Sequence, residues 1–61
     1  MKWTTRADGH EHARYRGLRL RLRHAPTGWI ISRREHDGWQ FVAGDVRREI
    51  AIKKAMEVLN D

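Results

Sequence analysis

The chain has no cysteine among its 61 residues. No disulfide framework can hold it together, and zinc sites built on thiolates are excluded. That composition suits a reducing compartment, so a cytoplasmic location is expected. No apolar run approaches the ~18 residues that span a bilayer, and no signal-peptide core is present. Proline occurs once, at Pro26, and aromatic residues make up 8% of the chain. A chain this short forms one domain at most and buries only about 60% of its unfolded surface.

Acidic residues are also scarce, but unevenly. Residues 1–36 hold nine Lys and Arg against three Asp and Glu, whereas residues 37–61 hold four against five. The overall charge of +5 therefore resides in the first part of the chain. A basic excess of this kind favours an anionic partner over simple solubility.

The excess has a pattern. In Tyr15-Arg16-Gly17-Leu18-Arg19-Leu20-Arg21-Leu22-Arg23, leucine and arginine alternate. A period of two places the leucines on one face of a strand and the arginines on the other. Like charges two residues apart on one face lie roughly 6.5–7 Å apart and repel each other, which is useful only when an anion arrives. A merely solvated strand face normally mixes signs.

The alternation predicts a first strand over residues 15–24. Ala25-Pro26-Thr27-Gly28 has the composition of a turn. A second strand follows over 29–35, a hairpin loop over His36-Asp37-Gly38, and a third strand over 39–43. Gly44 breaks the pattern and Asp45 is a candidate N-cap for a helix over 46–59. Ile52, Ala55, Met56 and Leu59 recur at helical spacing, with Ala51 and Val58 widening the stripe. Residues 1–13 read as a flexible arm or a short extra strand, with Trp3 folding back on the core, and residues 14–61 as the domain. The expected fold is α+β, a three-stranded antiparallel β-meander with one C-terminal α-helix on one face (βββα).

A four-residue turn pairs His24 with Trp29, and a three-residue loop pairs Glu35 with Trp39. This register sends Leu18, Leu20, Leu22, Trp29, Ile31, Phe41 and Ala43 to the helix-covered face. The open face then carries Arg19, Arg21, Arg23, Ile30, Ser32, Arg34, Gln40 and Val42, with Tyr15 at its end. Arg33 falls on the apolar face and must snorkel from an edge. A single helix cannot cover both sides, so the arginines are expected to stay bare.

Other chemistry is poorly provided for. The hydroxyl side chains are Thr4, Thr5, Tyr15, Thr27 and Ser32, and no pair of carboxylates converges in this arrangement, so no enzyme is expected. His10 and His12 form an H-x-H pair, but His24 and His36 lie at opposite turns, so neither a metal site nor a cofactor is expected.

At Tyr15-Arg16-Gly17-Leu18-Arg19-Leu20-Arg21 the chain resembles AP2-type DNA-binding domains. It resembles as well their bacterial and phage relatives, the arm-type DNA-binding domains at the N-termini of tyrosine integrases. Those families open strand one with Tyr-Arg-Gly-apolar-Arg, continue with a Gly-Trp strand (here Gly28-Trp29), and end in an alanine-rich helix (here Ala51 and Ala55). The likeness spans about residues 15–59. It departs at strand three, where Trp39-Gln40-Phe41 stands in place of Trp-Leu-Gly, and the Arg-Asp ending of strand two is absent. The resemblance implies a sheet in the major groove of double-stranded DNA, with Arg16, Arg19 and Arg21, joined by Arg33 or Arg34, at bases or phosphates.

The expected function is DNA binding through Tyr15, Arg16, Arg19, Arg21, Arg23, Arg34 and Gln40, by a monomer or weak dimer, with Arg23, Arg34 and Lys2 at phosphates and Arg19 and Arg21 reading bases. Such a protein would be a phage or mobile-element regulator or a recombination accessory factor. The alternative is a protein–protein interaction module or phage-encoded inhibitor, its basic face set against an acidic or nucleic-acid-binding site on a host protein.

Overall fold

The alternation of leucine and arginine does form a strand, but in a wider sheet than expected. The computed structural model describes all 61 residues, with β1 Thr4–Thr5, β2 Glu11–Tyr15, β3 Leu18–Ala25, β4 Gly28–Glu35, β5 Gly38–Asp45 and α1 Arg48–Leu59. The strands form one antiparallel sheet in the order β1-β2-β3-β4-β5. The expected three-stranded meander is therefore corrected to five strands with one helix, still α+β. The two additional strands come from residues 1–15, where Thr4 pairs with His12 and Glu11–Tyr15 pairs along Leu18–Leu22.

The correction has a local cause. Arg16 and Gly17 both have positive φ, at 52° and 79°. Two successive left-handed residues make the two-residue hairpin turn whose twist matches that of paired strands. Tyr15-Arg16-Gly17-Leu18 is thus a hairpin tip joining β2 to β3, and not the opening of a first strand. With so few apolar residues in 1–13, periodicity alone gives β2 little signal.

Leu20, Leu22 and Ile31 are fully buried, and Ala13 and Ala43 nearly so. Leu22, Ile31, Ala43, Ala51 and Ala55 form the core between sheet and helix, with Trp3, Trp29, Val42, Ile52 and Met56 packed around it. The alanines on α1 let the helix approach closely, and it lies mainly on β5 and β4. Trp3 folds onto this core as expected. Val58, expected in the buried stripe, is 52% exposed.

The helix begins at Arg48, two residues later than expected, and its N-cap position is Arg47 without a side-chain cap. Asp45 does other work. Its Oδ1 accepts the backbone N–H of Arg47 at 3.0 Å, and its Oδ2 accepts Lys54 Nζ at 2.8 Å. These donors, Lys54 first, pull the Asp45 carboxyl down to about 2. At the same end of the fold, Arg48 Nη2 and Nε donate to both oxygens of Glu11, at 2.7 and 3.3 Å. This fork joins the helix start to β2, and the Glu11 carboxylate raises the pKa of the Arg48 guanidinium.

His24 pairs with Trp29 and Leu22 with Ile31, as the alternation predicts. The expected register fails on β5. The β4–β5 loop has two residues, so Glu35 pairs with Gly38, Arg34 with Trp39, Arg33 with Gln40 and Ser32 with Phe41. A shift between Ile31 and Ser32 then restores Ile31 opposite Ala43. Val42 is the additional residue, and such a bulge lets both Val42 and Ala43 serve the core. A slip of one residue inverts every side chain between loop and bulge. Trp39 and Phe41 thereby pass to the open face, while Gln40 turns to the helix side.

Candidate functional site

The face opposite α1 is built by β-strand alternation. From the pairing of β2 with β3 and β3 with β4, it receives His12, Arg14, Arg19, Arg21, Arg23, Ile30, Ser32 and Arg34. The register of β5 adds Trp39 and Phe41. No other segment of the chain lies over the arginines: Arg14 and Arg34 are exposed, and Arg19, Arg21 and Arg23 are half-buried.

Apart from the contact of His12 with Asp8, the ion pairs of the protein lie off this face. Arg33 pairs with Glu35, Arg47 and Lys54 with Asp45, and Arg48 with Glu11. None of Arg14, Arg19, Arg21, Arg23 and Arg34 contacts a carboxylate. Arg33, Arg47 and Arg48 on the helix side are neutralised within the chain, and the open-face arginines are not. Arg33 snorkels from the apolar face to Glu35 at 3.3 Å, as its awkward register position requires.

Trp39 organises the middle of the face. The Arg21 guanidinium lies 4.4 Å from the centroid of its ring and that of Arg34 5.7 Å. The His12 imidazole meets it edge-on at 5.7 Å. Trp39 therefore reaches across the sheet towards β2, and Ser32, on the intervening β4, is buried. Cations held against an aromatic face are ordered without being neutralised. His12 is buried too, and its Nε2 lies 2.9 Å from Asp8 Oδ2. Asp8 also accepts the backbone N–H of His10 at 2.9 Å, and that bond, followed by the contact with His12, lowers its carboxyl pKa. This closes the loop between β1 and β2. His12 Nδ1 and Arg21 Nε find no partner within the chain.

The two sides of the face differ. Towards β1, Lys2, Thr4, Arg6, His12, Ala13, Arg14 and Arg19 line a groove of about 310 Å³. Four of these residues are cationic and none is acidic. Towards β5, Phe41 is 68% exposed. Its ring lies beside the Gly44 backbone, where a Cβ would stand in ordinary contact with Phe41 Cε2 at 3.5 Å.

Of the residues expected in the site, Arg19, Arg21, Arg23 and Arg34 are brought together. Arg16 sits at the hairpin tip, its guanidinium 5.4 Å from the Tyr15 ring centroid, at the rim. Tyr15 and Gln40 are corrections. The Tyr15 hydroxyl donates to Asn60 Oδ1 at 2.5 Å, so Tyr15 ties β2 to the end of the helix. Gln40 pairs with Arg33, and both line a depression with Leu18, Val58 and Leu59 on the helix side, which Phe41 also borders from the edge strand β5. Sequence reasoning missed Arg6, Arg14, Trp39 and Phe41, while Lys2, expected at phosphate, does line the groove. Arg14 was legible in principle, since the alternation of β3 extends through a two-residue turn into Arg14 and His12.

No three His, Asp or Glu side chains converge as metal ligands would. No helix is long and apolar enough to cross a membrane. Comparison with protein-family models, curated proteins and solved structures found no match.

Proposed function

We propose that this protein binds nucleic acid through the open arginine face, as a cytoplasmic binding module that carries out no chemistry of its own. One observation carries the reading: Arg14, Arg19, Arg21, Arg23 and Arg34 share one face and none of them pairs with a carboxylate, whereas Arg33, Arg47 and Arg48 on the helix side are each neutralised within the chain. Guanidinium groups present forked donors that match phosphate oxygens, and an array of them displaces the counterions condensed on a polyanion. Phosphates are common to DNA and RNA, so the charge argument supports nucleic acid as a class.

Arg19→Ala combined with Arg23→Ala tests the reading without disturbing the Trp39 cluster. The double variant should keep its thermal stability and lose at least tenfold in affinity for oligonucleotides, read by fluorescence anisotropy. Wild-type binding by the variant would refute the proposal. If the wild-type protein ignored oligonucleotides at physiological salt and instead captured one acidic protein, the same face would be a protein-docking surface.

A further inference from the structure

The open face has a composition that points to one form of nucleic acid. It carries cations at one side and aromatic surface at the other. The groove beside β1 presents Lys2, Arg6, Arg14 and Arg19 with the Thr4 hydroxyl and no carboxylate. Across the sheet stand Trp39, with two guanidinium groups against it, and Phe41, two-thirds exposed. An isolated exposed phenylalanine is unremarkable. One that shares a face with a tryptophan and five unneutralised arginines is placed where bases of a bound strand would lie.

We infer that the occupant is single-stranded nucleic acid, its phosphates in the groove of Lys2, Arg6, Arg14 and Arg19 and a base stacked on Phe41. The inference rests on the proposed function and specifies its ligand. Width supports it. Five strands at about 4.8 Å spacing span roughly 19 Å, whereas a duplex major groove is about 12 Å wide. The whole face therefore cannot enter that groove, and a duplex lying outside it would offer phosphates to the arginines but nothing to Phe41. In a single strand the bases are unstacked and can turn onto an aromatic ring while the backbone follows the charged groove. Stacking of this kind tolerates any base, because each has a π-face.

The Gly44 position fits this role. One flank of the Phe41 ring rests beside the Gly44 backbone, 3.5 Å from where a Cβ would stand, and the residue as a whole stays 68% exposed. The Arg21 and Arg34 guanidinium groups, held against Trp39, bridge the two halves and face any strand crossing between them.

The test measures binding of labelled homopyrimidine DNA and RNA strands of about 12 nucleotides, and of a duplex of equal length, to the wild-type chain, Phe41→Ala and Phe41→Tyr. Tighter binding of either single strand than of the duplex is expected. Phe41→Ala should weaken single-strand binding by roughly tenfold, about 1.4 kcal/mol, with Phe41→Tyr restoring it. Duplex binding should be indifferent to both variants. Because Phe41 is largely exposed, the alanine variant should keep the wild-type melting temperature, which is measured alongside. Equal or tighter duplex binding, or single-strand binding unchanged in Phe41→Ala, would overturn the inference and leave nucleic-acid binding standing. Binding of none of the three ligands would overturn both.

Discussion

Gly28→Ala should destabilise the fold, although it adds only a methyl group. Gly28 opens β4 opposite Ala25 and has φ of +145°. A Cβ there would lie 2.6 Å from the Asp45 carbonyl oxygen and 3.0 Å from Val46 Cα, both backbone atoms. Neither can swing aside, because Asp45 is held by Lys54 and Arg47 at the passage from β5 into the helix. Backbone strain in this region costs on the order of 1–3 kcal/mol. Relief of the clash has to displace the end of β5, adding about 1 kcal/mol or more. A 61-residue domain has only about 3–9 kcal/mol of stability in total. At about 4–8 °C per kcal/mol for a domain of this size, the melting temperature should fall by roughly 10–30 °C.

Gly38→Ala is the internal control. Gly38 has almost the same φ, +144°, but nothing lies within 4 Å of its added Cβ. The strain is shared and the clash is not, so Gly38→Ala should cost measurably less. Thermal unfolding followed by circular dichroism reads both. The reasoning is refuted if the two variants melt together, or if Gly28→Ala melts at or above the wild type. Glycine-to-alanine changes stabilise where the backbone is compatible, so the sign itself is informative.

Two further expectations concern the staples around the helix. Because the Asp45 carboxyl is held down at about 2 in the folded state, its contribution to stability is fully present above its unfolded value near 3.8 and is lost as pH falls through about 2. Asp45→Asn should remove that part of the acid dependence, so its stability should fall less than that of the wild type between pH 4 and pH 2 in urea titrations. Glu11→Gln removes the charge that Arg48 forks onto; in this part-exposed setting solvent screening limits the loss to about 1 kcal/mol or less, read as a shift in urea midpoint at unchanged slope.

The residues that made the fold legible were those with strict alternation. Leu18 to Arg23 assigned both faces of β3, and the turn at Pro26-Thr27 fixed Leu22 opposite Ile31. The arginine face followed from these alone. β2 was not legible because its five residues, Glu11 to Tyr15, carry no apolar alternation beyond Ala13, and its pairing depends on the positive φ of Arg16 as well as Gly17. A glycine advertises such a conformation; an arginine does not. The site's aromatic half was hidden for a different reason. A two-residue loop followed by a bulge leaves the far end of β5 in the expected register while inverting Trp39, Gln40 and Phe41. Periodicity sees both ends and misses the middle, so the exposed phenylalanine was read as core and the glutamine as contact.

The salt dependence of binding shows whether the open-face guanidinium groups meet phosphate. If the five open-face arginines, with Lys2 and Arg6 of the groove, each replace a counterion on a single strand, the plot of log affinity against log salt should have a slope of about −4.9, a loss of roughly a thousandfold between 50 and 200 mM. Arg19→Ala with Arg23→Ala should reduce the magnitude of that slope by about 1.4. A slope near zero, or one the double variant leaves unchanged, would show that these guanidinium groups do not meet phosphate.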